Sequence, residues 1–239
     1  MIGTIIFAVI SFCVFLYFEL KRQFVIAFLF KALASFSFIL ILLSILLYDY
    51  WVSIDLFLGY IHPELLGFAY FLILGLVCGF AGDLILGLRP FFDETRHTLI
   101  ILAGTIFFAS GHVFYLFGIM TLIDFSWWAV GFSIIVSALI FVIGIRFMKL
   151  KFKKLLIPSI GYSFLLFLMV GMTIFGFNNF ESKSFSIAIL IFAVLFGLSD
   201  IVLSQIYFGG KETNLMKAVN LSMYYLAQIG IASSILFLI

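Results

Sequence analysis

Apolar runs alternate with short segments that hold the charges and the helix breakers. Eight runs approach the ~20 residues that a helix needs to cross a bilayer: 2–18, 24–47, 64–88, 98–120, 126–148, 155–177, 184–208 and 215–239. They carry no period of 2 and no narrow apolar stripe, so the pattern predicts helices apolar on nearly every side. The expected fold is all-α: one polytopic transmembrane helical domain of eight spans covering residues 1–239. The first run has no basic segment before it and no small-residue cleavage site after it, so it reads as a retained span. The segment 48–63 is rich in Tyr and Trp and suits the headgroup interface.

Composition agrees with this pattern. The chain is 66% hydrophobic and 10% charged, whereas a soluble domain carries roughly 25% charged residues. Mean hydropathy is +1.35. A net charge of +2, with its cations spread between the apolar runs, forms no basic patch and gives no reason to expect a nucleic-acid partner. Cys13 and Cys78 both sit inside apolar runs and suggest neither a disulfide framework nor a metal site.

The basic residues fix an orientation. Lys21, Arg22, Arg89, Arg96, Arg146, Lys149, Lys151, Lys153, Lys154, Lys211 and Lys217 all fall on one side of an eight-span chain, against Lys183 on the other. The positive-inside rule places that side in the cytoplasm and both termini outside it. A multi-pass protein of the cell membrane is expected.

Two acidic residues break the third and seventh runs, in similar settings: Gly82-Asp83-Leu84-Ile85-Leu86 and Ser199-Asp200-Ile201-Val202-Leu203. An Asp deep in hydrocarbon costs about 2.5–3.5 kcal/mol on insertion scales, which makes it a candidate for function. The following span in each half has its own polar set: His112 with Tyr115, then Tyr224, Tyr225 and Gln228. This suggests a parallel repeat of four plus four spans. Asp83 and Asp200 fall roughly 9–14 Å from the basic ends of their helices, and Lys31 and Tyr224 roughly 10–15 Å in, at 1.5 Å per residue. The rare polar groups therefore share one layer.

Lys31 is expected to pair with one Asp and keep it ionised, while the less compensated Asp holds a proton. Two carboxyls set apart in this way can act as acid and base. Structural readings compete: buried Asp, His, Tyr and Gln side chains also stitch helices together. His62 and His97 lie on opposite sides of the membrane and cannot join His112 in a three-histidine zinc site. Ser110 is the only serine beside a plausible base, and no orienting partner accompanies it in sequence. No phosphate-cradling glycine loop and no metal-ligand cluster is present, so no cofactor is expected.

Lys31, Gly82-Asp83-Leu84-Ile85-Leu86, Gly111-His112-Val113-Phe114-Tyr115, Ser199-Asp200-Ile201-Val202-Leu203 and Tyr225-Leu226-Ala227-Gln228 occur in order in spans two, three, four, seven and eight. In this the chain resembles the lysoplasmalogenase (YhhN-like) family over almost its whole length. It departs in Ala32, where the family has proline after the lysine. The resemblance implies a membrane hydrolase that cleaves the vinyl-ether bond of a lysoplasmalogen, releasing a fatty aldehyde and glycerophosphoethanolamine or glycerophosphocholine. It also implies a lysophospholipid substrate, membrane lipid as surroundings and no metal. Asp83 and Asp200 are then the expected catalytic pair, with Lys31, His112, Tyr115, Tyr224, Tyr225 and Gln228 around substrate and water. The residues alone leave two alternatives open: a transporter or channel using the same polar layer, and a non-catalytic scaffold.

Overall fold

The computed structural model describes residues 2–55, 63–210 and 212–238, with the side chains of 49–55, 63 and 64 left aside. Eight α-helices are found there, each long and apolar enough to cross a membrane. They are α1 (Ile2–Leu20), α2 (Phe24–Asp55), α3 (Pro63–Gly87), α4 (Glu94–Met120), α5 (Trp127–Arg146), α6 (Leu156–Phe175), α7 (Lys183–Phe208) and α8 (Asn214–Ser233). Helices are what such sequences must form in lipid, because no water is present to satisfy the backbone donors and acceptors. The expected runs match these helices to within a few residues, with one exception. The second helix runs on to Asp55, into the segment expected to lie at the interface. Its onward course through 56–62, including His62, lies outside the described residues, as does Lys211. α2 passes Ala32 as a single helix.

Some helix ends have a local cause. Pro63 is the first described residue of α3, a place where proline is tolerated because its missing N–H costs no bond within the helix. Ser182 and Thr213 cap α7 and α8 by accepting from the backbone N–H groups of Phe185 and Met216. Gly210, at φ 65°, supplies a left-handed turn after α7.

Consecutive helices form the hairpins α1–α2, α3–α4, α5–α6 and α7–α8, and α2 meets α3 as α6 meets α7. Between the halves, α4 packs on α6 and α8 packs on α2. A four-plus-four repeat of like orientation generates this neighbour pattern. The outer surface is a belt of exposed aliphatic and aromatic side chains, as expected of an integral membrane protein. Trp127 and Trp128, at 78% and 77% exposure, project at the start of α5, suited to the aromatic belt at one interface.

The interior has two storeys. Far from the basic connectors it is a dry core that includes Phe68, Leu72, Ile119, Met169, Met172, Phe185, Ile189 and Ile231. Nearer those connectors it opens into a cavity of about 400 Å³ lined from all eight helices. Connectors at that end are tied together: Lys217 pairs with Glu19 at 3.3 Å and Glu212 at 2.6 Å, and the Lys151 N–H donates to the Phe208 carbonyl at 2.9 Å.

Candidate active site

α3 brings Asp83 to the cavity wall, where it is only 4% exposed. Lys31 of α2 approaches Asp83 Oδ1 at 3.4 Å. Ser35, one turn further along α2, and Tyr224 of α8 each donate a hydroxyl to Oδ2 at 2.7 Å. Tyr225 shares a 3.0 Å hydrogen bond with Ser35. Tyr115 of α4 donates to Gln228 Oε1 at 2.9 Å, and Gln228 Nε2 donates to Tyr224 at 3.3 Å. A chain of donors thus runs Tyr115 to Gln228 to Tyr224 to Asp83, with a cation on the other carboxylate oxygen. Two charges this deep are tolerable only when paired and hydrogen-bonded on their remaining atoms.

Close approach makes the network possible. A Cβ on Gly75 would stand 2.2 Å from Tyr115 Cε1, and one on Gly79 would stand 2.9 Å from Gln228 Nε2. Small residues one helical turn apart let α4 and α8 set their polar groups against α3.

Asp200 faces the same cavity from α7, in a different setting. It accepts a short hydrogen bond from the Tyr162 phenol of α6. No cation lies within ion-pair distance of it among the described residues. His112 Nε2 lies 3.2 Å from the Tyr162 oxygen. With the phenol hydrogen on Asp200, His112 must present Nε2–H to that oxygen, leaving Nδ1 as a buried acceptor with no partner. Phe196 packs edge-on against the His112 ring at 4.9 Å between centroids. Asn220 donates to the Ser199 carbonyl at 2.7 Å and ties α8 to α7 beside Asp200.

The two carboxyls therefore share one cavity but do not form a dyad. No hydrogen bond joins them among the described residues, and α8 packs against both α3 and α7, the helices that carry them. Lys31 and Tyr224 also line the cavity; His112, Tyr115, Tyr225 and Gln228 lie behind its wall. Ser110 is directed elsewhere and donates to the Ile106 carbonyl. No three His, Cys, Asp or Glu side chains gather as a metal site among the described residues.

Three contributors were not singled out in the sequence. Ser35 had a usable signal, four residues after Lys31 and hence on its face of the helix. Tyr162 had a subtler one: α6 neighbours α7 as α2 neighbours α3, so Tyr162 stands toward Asp200 as Lys31 stands toward Asp83. Asn220 acts through a backbone carbonyl, which leaves no pattern in side-chain spacing.

A helical membrane bundle with a buried carboxyl and a half-buried one facing one cavity defines a class of polytopic membrane protein with an internal polar site. The YhhN family model matches residues 26–235, and the chain belongs to that family, which is associated with lysoplasmalogenase-type hydrolase activity. No curated protein and no solved structure matches the chain.

Proposed function

We propose that this protein hydrolyses the vinyl-ether bond of a lysoplasmalogen, giving a fatty aldehyde and a glycerophospho-base. The observation that carries this reading is the pair of carboxyls in unlike settings on one cavity: Asp83 matched by Lys31 and two hydroxyl donors, Asp200 held by a phenol without a cation. Vinyl-ether hydrolysis needs that division. A proton must be delivered to carbon, and the oxocarbenium ion that results must be stabilised and met by water.

In this mechanism Asp200, in its protonated form, donates to the outer vinyl carbon, and the ether oxygen shares the positive charge that develops. Tyr162 positions that carboxyl, and His112 positions Tyr162. Asp83, anionic beside Lys31, stabilises the cation electrostatically and orients water toward the carbon bonded to oxygen. Water adds, the proton it loses replenishes Asp200 through the cavity water, and the hemiacetal collapses to aldehyde and free glycerol hydroxyl. One water is consumed and no net proton. The roles parallel those of the two carboxyls in glycoside hydrolysis, where an acid and an anion flank an oxocarbenium-like transition state. Tyr115, Gln228 and Tyr224 hold Asp83 in place, and Tyr225 does so through Ser35. The charged mouth suits a headgroup and the apolar wall a hydrocarbon chain. We place the protein in the cell membrane with its basic end, and the mouth, in the cytoplasm and both termini outside.

The test is mass spectrometry of purified protein incubated with a lysoplasmalogen and with its saturated alkyl-ether counterpart. Turnover of the vinyl compound alone is expected. Asp83→Asn and Asp200→Asn should each lower aldehyde release by about 100-fold or more, the scale of a lost acid–base or electrostatic contribution. Near-normal release from both variants, or substrate movement without cleavage, overturns the reading.

A further inference from the structure

Arg89 lies on the 3-10 turn that follows α3, at the mouth of the cavity. An arginine that only anchors a helix end extends into the headgroup region and leaves its donors to water and lipid. Arg89 does otherwise. Its guanidinium lies over the Tyr207 ring of α7, 4.8 Å from the centroid. Its Nε is buried with no hydrogen-bond partner, and no described carboxylate lies within 4.0 Å of it. Two acids do line the mouth, Glu19 and Glu212, but both are held by Lys217. Glu212 feels the field of Arg89 without pairing with it. A planar cation held on a ring at the cavity mouth, with no carboxylate paired to it, is a site prepared for an anion.

We infer that Arg89 binds the phosphate of the lipid substrate and thereby sets the register of the scissile bond against Asp83 and Asp200. This rests on the reading of the cavity as a lysophospholipid site. Arg89 follows Asp83 by six residues, about 9 Å along the helix axis, and both line the cavity. In a lysoplasmalogen the phosphate and the vinyl-ether oxygen are separated only by the glycerol backbone, about 6 Å at ordinary bond lengths. A phosphate on Arg89 thus leaves the ether within reach of the carboxyl layer while the chain continues inward. The consequence is specificity for phosphorylated lipids: an alkenylglycerol without phosphate has nothing to hold it in register.

The test measures binding separately from chemistry. Purified full-length protein in detergent is titrated with two uncleavable ligands, an alkyl-ether lysophosphatidylethanolamine and the matching alkylglycerol. Wild type should bind the phosphorylated ligand at least about tenfold more tightly, the scale of one charge-assisted contact. Arg89→Ala should abolish that preference, Arg89→Lys should restore part of it, and Arg96→Ala, on an exposed side chain, should leave it intact. Equal preference in wild type and Arg89→Ala overturns the inference. An Arg89-dependent preference in a protein that cleaves no vinyl ether sinks the proposed reaction and leaves the phosphate site standing.

Discussion

In the proposed mechanism, Tyr162 is the residue on which the chemistry of Asp200 turns. It touches the carboxyl on one side and His112 on the other, so removing its hydroxyl frees both. Tyr162→Phe keeps the ring packing and should cut kcat by about tenfold or more, a modest share of a general acid's contribution. Its melting temperature in detergent should stay close to wild type, and a pH–rate profile should move, which a packing role would not produce. The contrast with Lys31 explains what could be read beforehand. A lysine that deep has to find an anion, so its pairing with an Asp was legible from the chain alone. A phenol can be satisfied by many neighbours, so nothing in the sequence pointed Tyr162 at Asp200 until α6 and α7 were placed side by side.

At the scale of elements, eight spans were legible because the bilayer admits so few ways to satisfy a backbone. The end of α2 was not: the apolar run stops at 47, but the helix continues to Asp55, the last described residue before the connector. Contact between helices was harder still, because 34 Phe residues leave few distinctive faces. The small-residue stripe on α3 is one such contact, seen only in the structure. Gly75→Ala would press a methyl into the Tyr115 ring, push α4 away and weaken the donor chain to Asp83. The expected cost is about 1–3 kcal/mol, typical of overpacking, read as a lower thermal unfolding temperature in detergent. Combining it with Tyr115→Ala should recover much of the packing loss, though not the aldehyde release.

For the whole molecule, the bridge of Lys217 to Glu19 and Glu212 joins α1, α8 and the α7–α8 connector at the cavity mouth. The Lys217 hydrogen bond holds the Glu212 carboxyl below its ordinary value of 4.5. A depressed carboxylate contributes stability that is fully present above that ordinary value and is lost as the pH falls through the lowered one. Wild type should therefore melt above Glu212→Gln at pH 7, with the gap closing as the pH drops below about 4.5. A gap that persists at lower pH would assign the difference to packing instead. The cavity was not legible in the sequence, since it arises from eight helices that each look uniformly greasy.

In the proposed reaction, the mouth and the hydrocarbon wall of this cavity also decide where the pieces go. Before scission a single molecule spans both, tethered by its charged end. Afterwards the aldehyde has lost its tether and dissolves sideways into the bilayer, while the phosphodiester drains to water. Because the fragments part into different phases, both leave the cavity by different exits, and a lipid-poor micelle that fills with aldehyde should slow the enzyme by product occupancy before its substrate is gone.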